Sequence, residues 1–543
     1  MPGALVAGAF LLYYATRLQV HNQGGDFTNY AAAIQRNGLS DKWFYGDHLA
    51  YIFLLNWIYH SLSTVTTNLD AIKTAQAFNS IFAALGVGVF YLLGRSLFRE
   101  RWISLLLAIT LGLCYRYWLY ATVVEVHAPA AFFYLLSLLI AFRMQPGARG
   151  WIYVALGLLI ATAVLFHVIA ILFVPLSLGL MLIRATSPKP MLARSTPVGF
   201  SNVFAYIGAT ATGVILPYWY VAVNVLHLTS WKEIYLWLLP AETAEVSATS
   251  LGSAIMLVAR RIPFAFLGRR TWVQTPAIQL MPGMECLDSD LYLVRNIGPN
   301  VVLALVACSL IAGALLAVLG VISIPGFGRA IRGGSRPALV LSGWIVSFGI
   351  LIGYFMPGSS EHWGIYWLPG LLLAVGLGLS DVMQQVRVRK KLVKALAAAM
   401  LLFVLIGNGS NILVQASPGN DIYVERLKWY DANTSQTDLV ISGGDWMWTG
   451  YLDYYLQAQV VPLRRWIAAT GYSNGLDELL AFIEKTRRSG GRIFVTPDAL
   501  QRDACSEQIT EREVALFAAF RESMMPRLSC FQSEETSICE VLE

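Results

Sequence analysis

Residues 151–183 read WIYVALGLLIATAVLFHVIAILFVPLSLGLMLI, a run with no Asp, Glu, Lys or Arg and one interruption, His167. A membrane helix takes about 20 mostly apolar residues. The run is therefore one over-long helix or two short helices broken near His167. The choice decides the sidedness of everything downstream, because one crossing and two crossings leave the next loop on opposite faces of the bilayer.

Composition places the whole chain in lipid. Of 543 residues, 56% are hydrophobic and 13% charged, half the charge of an average soluble domain, and the mean hydropathy is +0.57. Apolar stretches near 3–19, 71–94, 102–120, 128–143, 151–166, 168–183, 199–226, 299–323, 338–356, 363–380 and 393–416 give about eleven spans. Positive charge tests the assignment, since short cytoplasmic loops collect Lys and Arg. Alternate loops hold Arg95, Arg99 and Arg101; Arg143 and Arg149; Arg184, Lys189 and Arg194; Arg329, Arg332 and Arg336; and Arg387, Arg389, Lys390, Lys391 and Lys394. The short loops between them, VVEVH, the turn at His167 and PGSSEHW, hold none. This segregation favours a break at His167, a cytoplasmic amino terminus and an extracytoplasmic carboxyl terminus. The net charge of +6 sets topology, and no basic domain for nucleic acid is present.

The opening MPGALVAGAFLLYYATRLQV lacks a basic lead and a small-residue cleavage site, so it reads as a retained first span. Three larger pieces then fall outside. Residues 20–70 include a stretch from His48 to His60 that reads as a helix lying on the membrane. Residues 227–298 contain paired arginines in an apolar stretch, IMLVARRIPFAFLGRR, as an interfacial helix would. The segment from about 420 to 543 is the soluble-looking part: DLVISGG and RIFVTP read as strands, LDELLAFIEKTRRSGG as a helix stopped by glycine. The expected fold is a polytopic α-helical membrane domain over 1–418, with external loops 20–70 and 227–298, and a small α/β domain over 419–543. Of six cysteines, Cys114 and Cys308 lie in apolar runs, beside Cys286, Cys505, Cys530 and Cys539 elsewhere. In an oxidising compartment the last three can include a disulfide, whose pairing the sequence leaves open.

Candidate chemistry gathers on the outer face. Asp26, in GGDFTNY, follows the first span where two glycines let the backbone turn tightly, and it also suits the cap of the helix FTNYAAAIQRNG. Glu125, in VVEVHAP, follows the third span, so both acids sit at one membrane depth unless Glu125 is a solvated loop residue. Charges at the bilayer edge are costly and mark functional sites. Two acids there suit deprotonation of an acceptor hydroxyl or the holding of a divalent metal, Mg or Mn, against a phosphate. His48, His127, His167 and His362, with Glu361, map to the same face, although a lone histidine on an apolar helix is more often an interior residue. Arg116, in the outer half of span three, needs a partner and suits a donor phosphate. Arg260, Arg261, Arg269 and Arg270 are weaker candidates, since charge runs on interfacial helices are usually solvated. No phosphate-binding loop, zinc-spaced Cys pair or nucleophile elbow is present.

The strings GGDFTNYAAAIQRNGL, YGDHLAYIFLLNWIYH, AFNSIFAALGVGVFYLLGRSL and YRYWLYATVVEVHAPAAFFYLLSLLIAFR resemble the beginning of the GT-C membrane glycosyltransferases related to protein O-mannosyltransferases. In that family an acid opens the first external loop, a histidine element starts a membrane-parallel helix, and an acid lies between spans three and four. Asp26, His48 and Glu125 match those places. LFHVIAILFVP is similar to the family's later histidine segment and PGSSEHWGIYWLPGLLL to its late external loop. Leu49 stands where the family has proline, and His127 where it has tyrosine.

The resemblance implies a polyprenyl-phosphate sugar donor, transfer on the extracytoplasmic face to a protein, glycan or lipid acceptor, and inversion at the sugar carbon with an acid as base. It puts Asp26 and Glu125 in the catalytic places, with His48, His167 and the loop of Glu361 and His362 around the substrate, to which the reading of the residues themselves adds Arg116 and His127. A transporter or flippase of a lipid-linked solute is the alternative from another class, and a non-catalytic envelope assembly component is a third. A transporter requires polar residues near mid-membrane and broken helices in paired halves, whereas this chain concentrates its polar groups on one face.

Overall fold

A computed structural model describes residues 1–18, 27–36, 44–66, 69–98, 100–144, 148–185, 199–238, 265–268, 299–350, 364–385, 389–417, 422–443, 452–463, 466, 475–500, 511–532 and 537–541. The chain divides into two compact units. One comprises 1–17, 33–271 and 300–413, the other 18–32, 272–299 and 414–543.

The first unit is helical. Its elements include α1 (Pro2–Ala15), α2 (Phe27–Gln35, which straddles the two units), α3 (Leu49–Ser63), α4 (Ala71–Leu97), α5 (Arg101–Leu113), α6 (Tyr115–Thr122), α7 (His127–Arg143), α8 (Gly150–Phe166), α9 (Phe173–Ala185), α10 (Phe200–Tyr220), α11 (Trp231–Leu238), α12 (Pro299–Arg332), α13 (Arg336–Ile350), α14 (Gly364–Gln385) and α15 (Arg389–Ala416). Among the described residues, five helical stretches, 71–97, 200–225, 303–332, 364–384 and 390–416, are long and apolar enough to cross a membrane. The bent pair α5–α6 is a sixth if it counts as one span. Five further apolar helices are shorter: α1, α7, α8, α13 and the stretch 168–182. The chain is an integral membrane protein.

The break at His167 is present. The residue ends α8 in extended backbone (φ −162°, ψ 124°), and a 3-10 turn over Val168–Leu172 leads into α9. Its ring provides the local cause: Nδ1 accepts the Ile169 N–H at 3.2 Å, capping the new turn in place of the helical ladder.

Polar side chains and small residues position the other helices. Asp70 caps α4, accepting from the N–H of Ile72 at 2.8 Å and of Lys73 at 3.2 Å. α5 and α6 meet at an angle of 59° at Cys114. Asn408 of α15 donates to the Leu113 carbonyl at 2.8 Å, satisfying a group that the kink withdraws from the ladder. Tyr13 of α1 donates to Gly112 O at 2.9 Å, and Trp118 of α6 to the Thr16 hydroxyl at 2.8 Å, which fixes the kinked span against α1. α8 and α10 pack through Gly157, where a Cβ would lie 2.5 Å from the Tyr206 carbonyl oxygen. Gly213 is the reciprocal point, with a Cβ 2.7 Å from that of Ala161. Small residues at such crossings let helix backbones approach in lipid, where no hydrophobic effect draws helices together.

In the second unit the sheet order is β2-β1-β3-β5-β4, with β1 (Leu439–Ser442), β2 (Gln459–Pro462), β3 (Ile493–Val495), β4 (Leu528–Gln532) and β5 (Ser537–Val541). β1 runs parallel to β2 and β3, while β5 is antiparallel to β3 and β4. Side chains alternate across the sheet. Leu439, Ile441, Ile493 and Val495 enter one core with Leu479 and Ile483 of α17 (Gly475–Arg488), and Val440 and Phe494 enter another with Leu427 and Tyr430 of α16 (Ile422–Asn433). α17 stops at Gly490, whose φ of +84° few other residues adopt. Cys530 and Cys539, directly opposed in β4 and β5, form a disulfide.

Candidate functional site

The connections α6–α7 and α8–α9 leave the helical unit at one end, and the segment before α3 joins them there. The α6–α7 turn is held from α4. Asn79 donates from Nδ2 to the carbonyls of Val123 and Glu125, each at 2.7 Å. Ser80 donates to Ala121 O at 2.8 Å, and Tyr117 donates back to Ala83 O at 2.9 Å. With its backbone satisfied this way the turn can be dry, and Val123, Val124, Glu125 and Val126 are all buried. The reading of Glu125 as a solvated loop residue is thereby corrected: its side chain is only 8% exposed.

His127 opens α7. Its Nδ1 lies 3.1 Å from the Tyr366 hydroxyl at the start of α14. Its ring is 4.6 Å from that of Tyr120 and 4.9 Å from that of His167, centroid to centroid. His167 in turn lies 5.8 Å from Tyr366. Because Nδ1 of His167 accepts a backbone N–H, its neutral form carries the proton on Nε2. Burial lowers the His167 pKa to about 4; Asp47 opposes that shift and His48 adds to it, so the ring is neutral at pH 7.

His48 precedes α3 and pairs with Asp47, Nδ1 to Oδ1 at 2.6 Å. The N–H of Val168 donates to the Asp47 carbonyl at 2.8 Å, joining this turn to the break after α8. Burial raises the Asp47 carboxyl, but the charge and hydrogen bond of His48, with smaller contributions from His167 and the backbone, outweigh it and bring the pKa down to about 2. The Asp47 side chain is 46% exposed, so solvent screens the pair, which orients His48 more than it stabilises the fold. Tyr51, one turn into α3, faces Glu125; burial first and then the Glu125 charge push its phenol well above its ordinary range. Trp237 of α11 donates to Phe44 O at 3.0 Å, and its own carbonyl lies where a Cβ on Gly46 would fall, so only glycine fits that turn.

The structure thus brings His48, Glu125, His127 and His167 together. Arg116 is buried in α6, its guanidinium 5.9 Å over the Tyr115 ring. Asp26, Glu361, His362, Arg260, Arg261, Arg269 and Arg270 lie outside the described residues. Sequence reasoning passed over Asp47, Tyr51, Asn79, Tyr120 and Tyr366. The signal for Asn79 was there, a polar amide inside the apolar run AFNSIF, and Asp47 adjoins His48. Tyr366 comes from far along the chain with nothing local to mark it. Among the described residues no three His, Cys, Asp or Glu side chains gather closely enough to hold a metal ion. The cluster offers imidazole and phenol donors to an anion, beside a buried carboxylate.

The fold is similar to that of a solved structure. ArnT from Cupriavidus metallidurans, in a structure bound to undecaprenyl phosphate, matches over 99% of this chain and 97% of its own, with a TM-score of 0.55 and 11% identity. The apo state of the same protein gives 0.46 at 13% identity, over 99% of this chain and 97% of its own. The arabinofuranosyltransferase AftD from Mycobacteria gives 0.45 at 12% identity, over 99% of this chain and 41% of its own. At such identities the likeness is one of fold. No family model matches the sequence, and no curated protein matches it.

Proposed function

We propose that the protein is a glycosyltransferase that moves one sugar from a polyprenyl-phosphate carrier to an acceptor hydroxyl on the extracytoplasmic face, with inversion at the sugar carbon. The observation that carries this reading is the convergence of His48, Glu125, His127 and His167 at one end of a helical unit with the ArnT fold. The solved ArnT holds undecaprenyl phosphate, which supplies the carrier chemistry.

The acceptor oxygen attacks the anomeric carbon, its proton passes to a carboxylate, and the bond from that carbon to the phosphate oxygen breaks. Asp26 is the base, and Glu125 assists it or positions the acceptor. His48, His127 and Arg116 meet the phosphate, and His167, Glu361 and His362 complete the surroundings. Buried donors stabilise the charge that develops on the leaving phosphate without reorganising. A divalent metal, Mg or Mn, would fall to Asp26 and Glu125, and no step requires it here. Mannose is the sugar that the O-mannosyltransferase resemblance favours.

In this reading the apolar stretches and the loop charge of the sequence make eleven crossings, with the amino terminus in the cytoplasm and the α/β domain outside, where it contacts the acceptor. The Cys530–Cys539 disulfide supports that side, since such bonds persist in oxidising compartments.

The test is transfer of labelled sugar by the purified chain supplied with polyprenyl-phosphate mannose and other polyprenyl-phosphate sugars. Wild type transfers, while Asp26→Asn and Glu125→Gln do not. Full activity in both variants overturns the residue assignment. No transfer by wild type with any donor, alongside donor translocation across proteoliposomes, replaces the enzyme with a flippase.

A further inference from the structure

The corner where α4 ends and α5 and α15 begin carries charge that the proposed reaction does not use. Lys390 Nζ lies 3.8 Å from Glu100 Oε1, and Lys394 Nζ lies 5.6 Å over the Trp102 ring, so α5 and α15 start side by side. The last turn of α4 flanks them, since a Cβ on Gly94 would sit 3.2 Å from the Ser104 Cβ. Arg95, Arg101, Lys390, Lys391 and Lys394 therefore collect in one place, where Glu100 pairs with Lys390.

The positive-inside rule explains why cations occupy these loops, but not why they gather on one side. Helix electrostatics oppose the gathering at α15, whose first turn holds Arg389, Lys390 and Lys391 and no acid, although the positive end of a helix dipole favours one there; at α5 the acid is the N-cap Glu100, which pairs with Lys390. Two atoms also ask for a ligand: Arg95 Nη1 and Ser104 Oγ are buried with no hydrogen-bond partner among the described residues. Apolar surface adjoins the charge, with Leu392 58% exposed and Trp102 half-buried.

We propose that this corner binds the headgroup of an anionic phospholipid. The lysines of α15 and Arg101 take the phosphate charge, Arg95 and Ser104 supply hydrogen bonds, and Trp102 and Leu392 lie along the glycerol and acyl chains. That apolar flank, at the ends of membrane helices, favours a lipid over free phosphate.

Titration of the purified full-length chain in neutral detergent with phosphatidylglycerol, read as bound adducts by native mass spectrometry, tests this. Binding to wild type weakens about fivefold for each lysine removed among Lys390→Gln, Lys391→Gln and Lys394→Gln. Glu100→Gln, which frees Lys390 from its carboxylate, tightens it. Opposite responses separate loss of a site from loss of the fold. Retention of phosphatidylglycerol by the triple variant at wild-type affinity overturns the proposal. So does equal binding of phosphatidylcholine, or complete displacement of the lipid by excess inorganic phosphate.

Discussion

Asp438 and Glu125 are both carboxylates shut away from solvent, at 2% and 8% exposure, yet their surroundings differ in kind. Asp438 accepts from the N–H of Ser435 at 2.8 Å, the N–H of Arg492 at 2.8 Å and Nη2 of Arg492 at 2.9 Å. Burial pushes its carboxyl up, but these donors outweigh that and hold it below the usual carboxylate range. Such an acid ties the start of β1 to the start of β3 and has no proton to trade. Glu125 sits in a turn whose side chains can pass protons: it faces the Tyr51 phenol and acts on Tyr366, which meets His127. A permanent cation makes a carboxylate a structural fixture, whereas titratable neighbours leave it available to chemistry.

The largest effect is expected at Glu125. Glu125→Gln preserves the shape of the turn and the backbone bonds from Asn79, so the melting temperature stays near wild type while sugar transfer falls about 100- to 10,000-fold. Transfer and melting in the same preparation give both readings. An unstable but active variant would make Glu125 a fixture like Asp438.

Asp438→Ala is the converse. It removes three hydrogen bonds to one charged group and destabilises the α/β unit by about 2–3 kcal/mol, read as earlier proteolytic cleavage within 439–495 of the intact chain. Arg492 is half exposed and keeps its own hydration, which limits the loss. Because the folded pKa of Asp438 is depressed, its contribution is fully present above the ordinary aspartate value near 3.8 and disappears as pH falls below it. Resistance to proteolysis by an acid-active protease drops over that interval in wild type and stays flat in Asp438→Asn.

The same contrast explains what could be read from residues alone. Apolar length, loop charge and glycine stops are local, so the helical stretches, the break at His167, the strands DLVISGG and RIFVTP and the stop near Gly490 were legible. Glu125, His127, His48 and His167 were visible as polar residues interrupting apolar sequence. Their surroundings were not, because Tyr366 reaches His127 from 239 positions away and Asn79 reaches Glu125 from 46. The burial of VVEVH was likewise hidden, since it depends on donors in α4. Among the described residues, five of the helices within apolar segments are shorter than 18 residues, and α1, α7 and α8 among them end at turns or caps that the apolar run does not announce.

A smaller effect comes from the scaffold beneath the site. Gly157→Ala forces a methyl group against the Tyr206 carbonyl, and α8 and α10 must separate by some tenths of an ångström. The expected cost is about 1–3 kcal/mol, measured as a lower melting temperature in detergent. Donor affinity changes little if the His167 turn is held by Asp47 and its own cap, and falls with stability if α8 packing holds it.

Tyr366→Phe has the smallest effect and divides the two kinds of environment most finely. It deletes one hydroxyl, the partner of His127 Nδ1, while leaving the ring that packs beside His127 and His167. A hydroxyl serving only the packing of this wall costs about 0.5–1.5 kcal/mol of stability, and the pH profile of transfer keeps its wild-type shape. A hydroxyl that passes protons or orients His127 toward the leaving phosphate leaves melting alone and lowers the turnover rate with a displaced pH profile. In the second outcome the proton-exchanging neighbourhood of Glu125 extends across α7 to α14; in the first it ends at Tyr51.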